Sequence, residues 1–325
     1  MIVREGCAGK GILVTGGAGF IGSHLVDRLL AEGAAHIVVI DNLFVGSEDN
    51  LAEALASGKV VFYRDDAELS TSLDYIFANH AIDVVFNCAT KALNYSFLNP
   101  ANAFDTNVKV VLNLLELQRR GFFKTLCHFS TSEVYGSAVY EPMDEAHPRK
   151  PTTTYAAGKA AADLAVESYV RMFGVDAYIV RPFNNYGPRQ NHKGLLAGVI
   201  PITAVRLLTG GTPEIHGEGT QSRDFIYVHD TVDAVVKLHD VLPSGETVNI
   251  STDNQITIND LIPRICAHYG YTGEILRKPA RHSDVLSHNA SNEKVKRLIE
   301  YRLTPFEQGL PETLNWYTHL TGNRI

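Results

Sequence analysis

Thr15-Gly16-Gly17-Ala18-Gly19-Phe20-Ile21-Gly22 follows a short β-rich run and opens a helical pattern through His24, Leu25 and Leu29. The glycines are spaced G-x-x-G-x-x-G. Glycine allows the tight turn and lets the main chain approach a pyrophosphate, which free N–H groups at the helix N-terminus then hold. Asp41 ends the next β-rich run, 19 residues beyond Gly22. A carboxylate at that place accepts ribose hydroxyls and repels a 2′-phosphate, so strand, glycine turn, helix and acid together predict a dinucleotide site for NAD rather than NADP. Gly16, Gly19, Phe20, Ile21, Gly22, Asp41, Asn42 and Ala89 are assigned to that cofactor. Asp66, after the third run, is assigned to the adenine, with Asp65 an equal alternative.

A second group consists of Ser130-Thr131-Ser132-Glu133-Val134-Tyr135-Gly136, at the end of the fifth β-rich run, and Tyr155-Ala156-Ala157-Gly158-Lys159. Residues four apart share a helix face, so Tyr155 and Lys159 are neighbours. A free phenol, with a pKa of about 10, is a poor base at neutral pH. A nearby ammonium and a positive nicotinamide ring both favour the phenolate, making a tuned base for a sugar hydroxyl. The cofactor role therefore extends to Tyr155 and Lys159, and the catalytic residues are Thr131, Ser132, Glu133, Tyr155 and Lys159.

The glycine loop, Asp41, STSEVYG and Tyr-x-x-x-Lys together resemble the extended short-chain dehydrogenase/reductases that modify nucleotide sugars, the epimerase and dehydratase families. RPFNNYGPRQ, GEGTQSRDFIYVHD and the RHSD at Arg281 resemble segments of that family's substrate region, so the likeness spans nearly the whole chain. It implies that Tyr155 takes the proton of the sugar 4-hydroxyl, Lys159 orients Tyr155 and lowers its pKa, Thr131 hydrogen-bonds the same oxygen, and NAD accepts the C4 hydride. The resulting ketone acidifies C5 and activates C6, where the branches diverge.

At the position of Glu133 the family's 4-epimerases carry a small or apolar residue, whereas its 4,6-dehydratases use a glutamate to take the C5 proton. Water then leaves from C6 and hydride returns there, giving a 4-keto-6-deoxy sugar. Dehydratases acting on thymidine-linked glucose place an aspartate before the glutamate as general acid, where this chain has Ser132. Thr-Ser-Glu resembles the dehydratases of guanosine-linked mannose and of some N-acetylhexosamines, and also the UDP-glucuronate decarboxylases. The leading expectation is a 4,6-dehydratase, with a decarboxylase or 4-epimerase as alternatives.

The resemblance also implies a nucleotide-diphosphate sugar, with UDP favoured, held by Asn185, Arg223 and Arg281, and a base pocket near Leu195 and Val199 to Pro201. An arginine fork suits a pyrophosphate, while surface salt bridging is the alternative use of both arginines. Lys91 and Tyr95, in a stretch departing from the family's His-Leu-Ala-Ala pattern, are assigned to sugar recognition. His192, His216, His229, His282 and His288 have no metal-ligand spacing, and no metal is expected.

The elements that must position these groups alternate β-rich runs with helical patterns, the signature of a Rossmann-type doubly wound parallel α/β sheet. Runs at 11–15, 36–40, 60–63, 83–88, 124–129 and 176–180 read as its strands. Phe104, Val108, Val111 and Leu115 paint one stripe on a helix, and an alanine-rich helix runs from about Thr153 to Phe173. These two helices either cover the sheet or support a homodimer. Residues 1–181 are read as the NAD-binding domain carrying the catalytic residues. Residues 182–325 form a smaller α/β nucleotide-sugar region with some segments returning to the sheet. Asp230, followed by Asp233, and Thr257, followed by Asp260, read as helix N-caps.

Composition narrows the classes further. With 29 Lys and Arg against 36 Asp and Glu the net charge is −7, and no basic run exceeds a pair such as Arg119-Arg120, which excludes a nucleic-acid binder. The start lacks an apolar signal core, no stretch is long and apolar enough for a membrane, and four scattered cysteines form no C-x-x-C pair. A cytoplasmic location follows as the expectation.

Overall fold

The structure, a computed structural model, describes residues 4–280 and 289–322. Seven strands pair in parallel: β1 (Gly11–Thr15), β2 (His36–Ile40), β3 (Val60–Tyr63), β4 (Val84–Asn87), β5 (Thr125–Phe129), β6 (Asp176–Pro182) and β7 (Thr247–Ile250), in spatial order 3-2-1-4-5-6-7. Every residue of β1, β4 and β5 is buried, as a sheet covered on both faces requires. The six strands read from the sequence are present, with ends moved by one or two residues. The seventh comes from beyond residue 182 and pairs with β6.

One face packs against helices Phe20–Ala31 and Val228–Val241 through Leu25, Leu29, Val232 and Val235. The other packs against helices Ser70–Asn79, Pro100–Arg119 and Thr154–Phe173 through Leu73, Val110, Leu114 and Val166. Strand order reverses between β1 and β4, whose register pairs Thr15 with Asn87. That reversal opens a crevice beyond the strands' carboxyl ends, where ligands of such sheets bind.

Two local expectations need correction. Helix Pro100–Arg119 buries Val111 and Leu115 of the stripe together with Ala103, Asn107, Val110 and Leu114, whereas Val108 is half-buried and Phe104 is 36% exposed. The helix serves two partners, the sheet and helix Thr154–Phe173, and this turns the sequence stripe partly outward. The two helices close at Gly158, where a methyl group would stand 2.8 Å from the Phe104 carbonyl oxygen. Asp230 is not an N-cap: it lies inside helix Val228–Val241, and its carboxylate instead accepts from Thr304 N and Oγ1, both at 2.7 Å. Thr257 does cap its helix, Ile258–His268, accepting from Asp260 N at 3.1 Å.

Beyond β6 the chain builds a smaller unit from helices Val199–Leu208, Ile258–His268 and Phe306–Gly322 around Ile200, Leu261, Ile265, Leu310 and Tyr317. Three two-stranded pairs join it, among them Asn184–Tyr186 with Phe225–Tyr227. Among the described residues, no helix is long and apolar enough to cross a membrane.

Candidate functional site

A cleft of about 380 Å³ lies at the strand reversal, lined by Gly16, Gly19, Phe20, Ile21, Gly22, Asp41, Asn42, Asp66, Ala89, Tyr155 and Lys159 among others. The structure thus gathers every residue assigned to the dinucleotide. The loop is shaped for a close approach. Gly16 has φ +67°, and a methyl group there would meet Ala89 N at 2.8 Å. At Gly22 a methyl group would stand 2.2 Å from Gly16 O. Helix Phe20–Ala31 starts at this turn, and its first-turn N–H groups have no helical acceptor, so the cradle fits a pyrophosphate. Gly22→Ala is expected to overpack the turn by ~1–3 kcal/mol, weakening NAD roughly ten- to a hundredfold in titration calorimetry. Unchanged affinity would separate the loop from the cofactor.

Asp41 shapes the adjoining wall. Its Oδ2 accepts from Ala18 N at 3.0 Å and its Oδ1 from Leu43 N at 2.8 Å. Burial raises its pKa, and these N–H donors oppose the rise. Asp66 accepts from Asn42 Nδ2 at 2.7 Å, which links two of the residues assigned to the cofactor. Asp65 lines the same wall.

Helix Thr154–Phe173 carries Tyr155 and Lys159, and Thr153 caps it by accepting from Ala156 N at 3.2 Å. Burial pushes the Tyr155 phenol up to about 12; the Thr131 and Thr90 hydroxyls oppose this, and the Glu133 carboxylate adds to it. Lys159 is driven down to about 8 by burial, with Asp163 and then Cys88 acting the other way. Its Nζ donates to Phe129 O at 2.7 Å. In the cofactor-free protein, then, burial and the hydroxyls set the phenol, while the ammonium is engaged with the end of β5.

Thr131 begins a single turn, Ser132–Tyr135, and its Oγ1 accepts from Glu133 N at 3.3 Å. The Glu133 carboxylate acts through its charge on the Tyr155 phenol, raising it. Ser132 is 3% exposed, and none of Thr131, Ser132 and Glu133 is among the residues lining the cleft. Lys91, 8% exposed, lines the cleft and holds its Nζ over the Phe44 ring at 4.1 Å and 5.8 Å from the Tyr95 ring; the two rings meet edge-on at 4.9 Å.

The other substrate assignments lie apart. Asn185 donates to Phe183 O at 2.9 Å and accepts from Thr231 Oγ1 at 2.6 Å, so both ends of its amide are engaged. Arg223 sits on a short strand paired with Ile256–Thr257 and donates to Ser222 O at 2.8 Å. Neither lines the cleft. Arg281 is outside the described residues. Asn107, which the sequence reading passed over, joins the cleft wall to the catalytic helix. Its Oδ1 accepts from Thr90 Oγ1 at 2.8 Å and Lys91 N at 3.2 Å, and its Nδ2 reaches Tyr155 O at 3.4 Å. It sits on the buried arc of a helix, where an asparagine is itself the available signal. Phe44, a cleft residue three beyond Asp41, carried no comparable mark.

The model of the NAD dependent epimerase/dehydratase family matches residues 12–251. UDP-glucose 4-epimerase of Mycolicibacterium smegmatis is 33% identical over 310 residues, covering 94% of this chain and 97% of that protein. UDP-glucuronic acid decarboxylase 6 of Arabidopsis thaliana is 34% identical over 257 residues, covering 77% and 71%. The crystal structure of dTDP-glucose 4,6-dehydratase from Streptomyces venezuelae, with NAD bound, superposes with a TM-score of 0.90 at 30% identity, covering 96% of this chain and 98% of that one.

Proposed function

The chain belongs to the NAD-dependent epimerase/dehydratase family, whose members include sugar-nucleotide epimerases, dehydratases and decarboxylases with NAD as cofactor, and we propose that it is a nucleotide-sugar 4,6-dehydratase, with a UDP-sugar favoured as substrate. The observation that carries this reading is Glu133, a carboxylate held on the short turn after Thr131, whose charge acts on the Tyr155 phenol. Simple epimerisation at C4 gives it nothing to do. NAD, held by the glycine turn and Asp41, would supply the hydride acceptor for C4 and the donor for C6.

Tyr155 takes the proton of the 4-hydroxyl, and Thr131 donates to the same oxygen. With a ketone at C4 the C5 hydrogen becomes acidic, and Glu133 removes it as the C6 hydroxyl leaves and takes up a proton, the one lost from the 4-hydroxyl in the overall balance. When hydride reaches C6, the proton on Glu133 returns to C5, leaving a 4-keto-6-deoxy sugar and one water. Asn185, Arg223 and Arg281 are proposed to hold the nucleotide. Lys91 and Tyr95 are proposed to face the sugar.

Ser132 favours a second reading. Where dehydration uses an acid for the leaving water, this chain has a buried hydroxyl. Decarboxylation of a UDP-uronate needs no such acid, since carbon dioxide leaves unassisted from the 4-keto acid. A panel of UDP-, dTDP- and GDP-sugars followed by mass decides. Loss of water supports dehydration, loss of carbon dioxide from a uronate supports decarboxylation, and an isomer of unchanged mass supports epimerisation; either of the last two overturns the leading reading.

A further inference from the structure

Asp163 lies one turn beyond Lys159 on helix Thr154–Phe173 and is completely buried. Its two oxygens are treated very differently. Oδ2 accepts from Ser130 Oγ at 2.8 Å, Arg181 Nη2 at 2.8 Å and Arg181 Nε at 3.2 Å. Oδ1 has no hydrogen-bond partner among the described residues and faces His128 Nε2, also unpartnered, at 3.6 Å. Leaving a buried acceptor unpaired costs ~1–3 kcal/mol, so a function other than local satisfaction is called for.

The surrounding charges define that function. Asn87 Nδ2 stands 3.1 Å from His128 Nδ1 and can only donate, which puts the imidazole proton on Nε2, toward Asp163. Burial holds His128 well below its ordinary pKa, so the ring is neutral. The Cys88 thiol and the Tyr135 phenol are both raised and neutral as well. Arg149 acts on Asp163 from farther off while paired with Glu167 at 2.8 Å. What remains is one buried carboxylate between two buried cations, Arg181 and Lys159, each 2% exposed. Arg181 keeps its proton under all ordinary conditions, so without Asp163 the lysine is the cation that yields.

We propose that Asp163 is a positioning residue for the catalytic pair: it ties the strand end bearing Ser130 and Thr131 to the helix bearing Tyr155 and Lys159, and keeps Lys159 charged. The inference rests on Tyr155 and Lys159 oxidising C4, a step shared by all three branches, so a wrong choice of branch leaves it testable. Burial already drives Lys159 to about 8 and Asp163 opposes that shift, so removing the carboxylate lowers the lysine further. Activity that depends on the ammonium is lost as pH rises through this pKa. The basic limb of the kcat profile must therefore move to lower pH.

The test is the pH dependence of 4-keto sugar formation by Asp163→Asn, with the wild type's own substrate, alongside its Tm. The expected result is a basic limb about one unit lower, with KM within roughly twofold of wild type. An unmoved limb in a folded Asp163→Asn overturns the proposal. Asp163→Glu and Ser130→Ala keep the charge and disturb the tie, so both should lower kcat with the limb in place. If Asp163→Asn does not fold, unchanged kcat in these two variants overturns the proposal instead. A wild type that oxidises no nucleotide sugar overturns both this inference and the proposed function.

Discussion

Tyr155→Phe retains NAD affinity and loses roughly 10²- to 10⁴-fold in turnover. The two halves of this result come from separate parts of the molecule. The groups proposed to hold NAD, the glycine turn, the first turn of helix Phe20–Ala31 and Asp41, do not lean on the phenol oxygen. Phenylalanine keeps the ring that fills the cleft wall, so calorimetry should show binding within about threefold of wild type, well under 1.4 kcal/mol. Turnover depends on the oxygen alone. In the cofactor-free protein burial places the phenol near 12, where only a minute fraction is phenolate at neutral pH. The positive ring of bound NAD must supply the missing stabilisation, so base and acceptor arrive together. The pH profile follows from the same groups: turnover rises with pH as Tyr155 loses its proton and falls as Lys159, near 8 before cofactor binds, loses its own. Wild-type turnover in Tyr155→Phe would remove Tyr155 from the mechanism.

How much of this could be read from the chain depends on how local each signal is. β1 and the glycine turn are contiguous, and Gly16, Gly19 and Gly22 each answer a contact within the turn or with the neighbouring β4 end. Tyr155 and Lys159 are four apart on one helix, a relation that spacing fixes completely. β7 was harder, since Thr247–Ile250 is four residues long and carries a buried asparagine, Asn249, whose side chain is held by Tyr135 from 114 positions away. The stripe on helix Pro100–Arg119 marked only part of the buried face, Val111 and Leu115, because a helix with two partners buries a wider arc than one stripe marks. Asn185 and Arg223 fit the family's pattern by type, yet their hydrogen bonds to Thr231 and Ser222 are long-range or conformational facts that residue type does not encode. The electrostatics around Lys159 belong to the same class, because Arg181 and His128 reach Asp163 only once β5 and β6 pair.

Glu133→Gln should divide the reaction in two, and here the sign of one interaction matters most. The residue is fixed by its turn: Thr131 accepts from Glu133 N, and Gly136 N donates to Glu133 O at 3.1 Å. Gly136, at φ +66°, ends the turn where a methyl group would stand 2.0 Å from Lys150 O, so no other residue fits. Glutamine preserves this geometry and removes the charge. Because the Glu133 carboxylate raises the Tyr155 phenol, its loss makes the phenolate easier to form, and oxidation at C4 should persist with its acid limb moved to lower pH. Removal of the C5 proton should fail, since an amide cannot accept it. The expected outcome is that a 4-keto sugar nucleotide of intact C6 accumulates on the protein, exchange of the C5 hydrogen with deuterated solvent stops, and release of dehydrated product falls roughly 10²- to 10⁴-fold. Mass spectrometry after quenching reads all three. The alternatives give different patterns: an epimerase keeps its turnover in Glu133→Gln, and a decarboxylase still releases carbon dioxide from the 4-keto acid. Continued C5 exchange with undiminished loss of water would show that another group is the C5 base, and the dehydratase reading would lose the residue on which it stands.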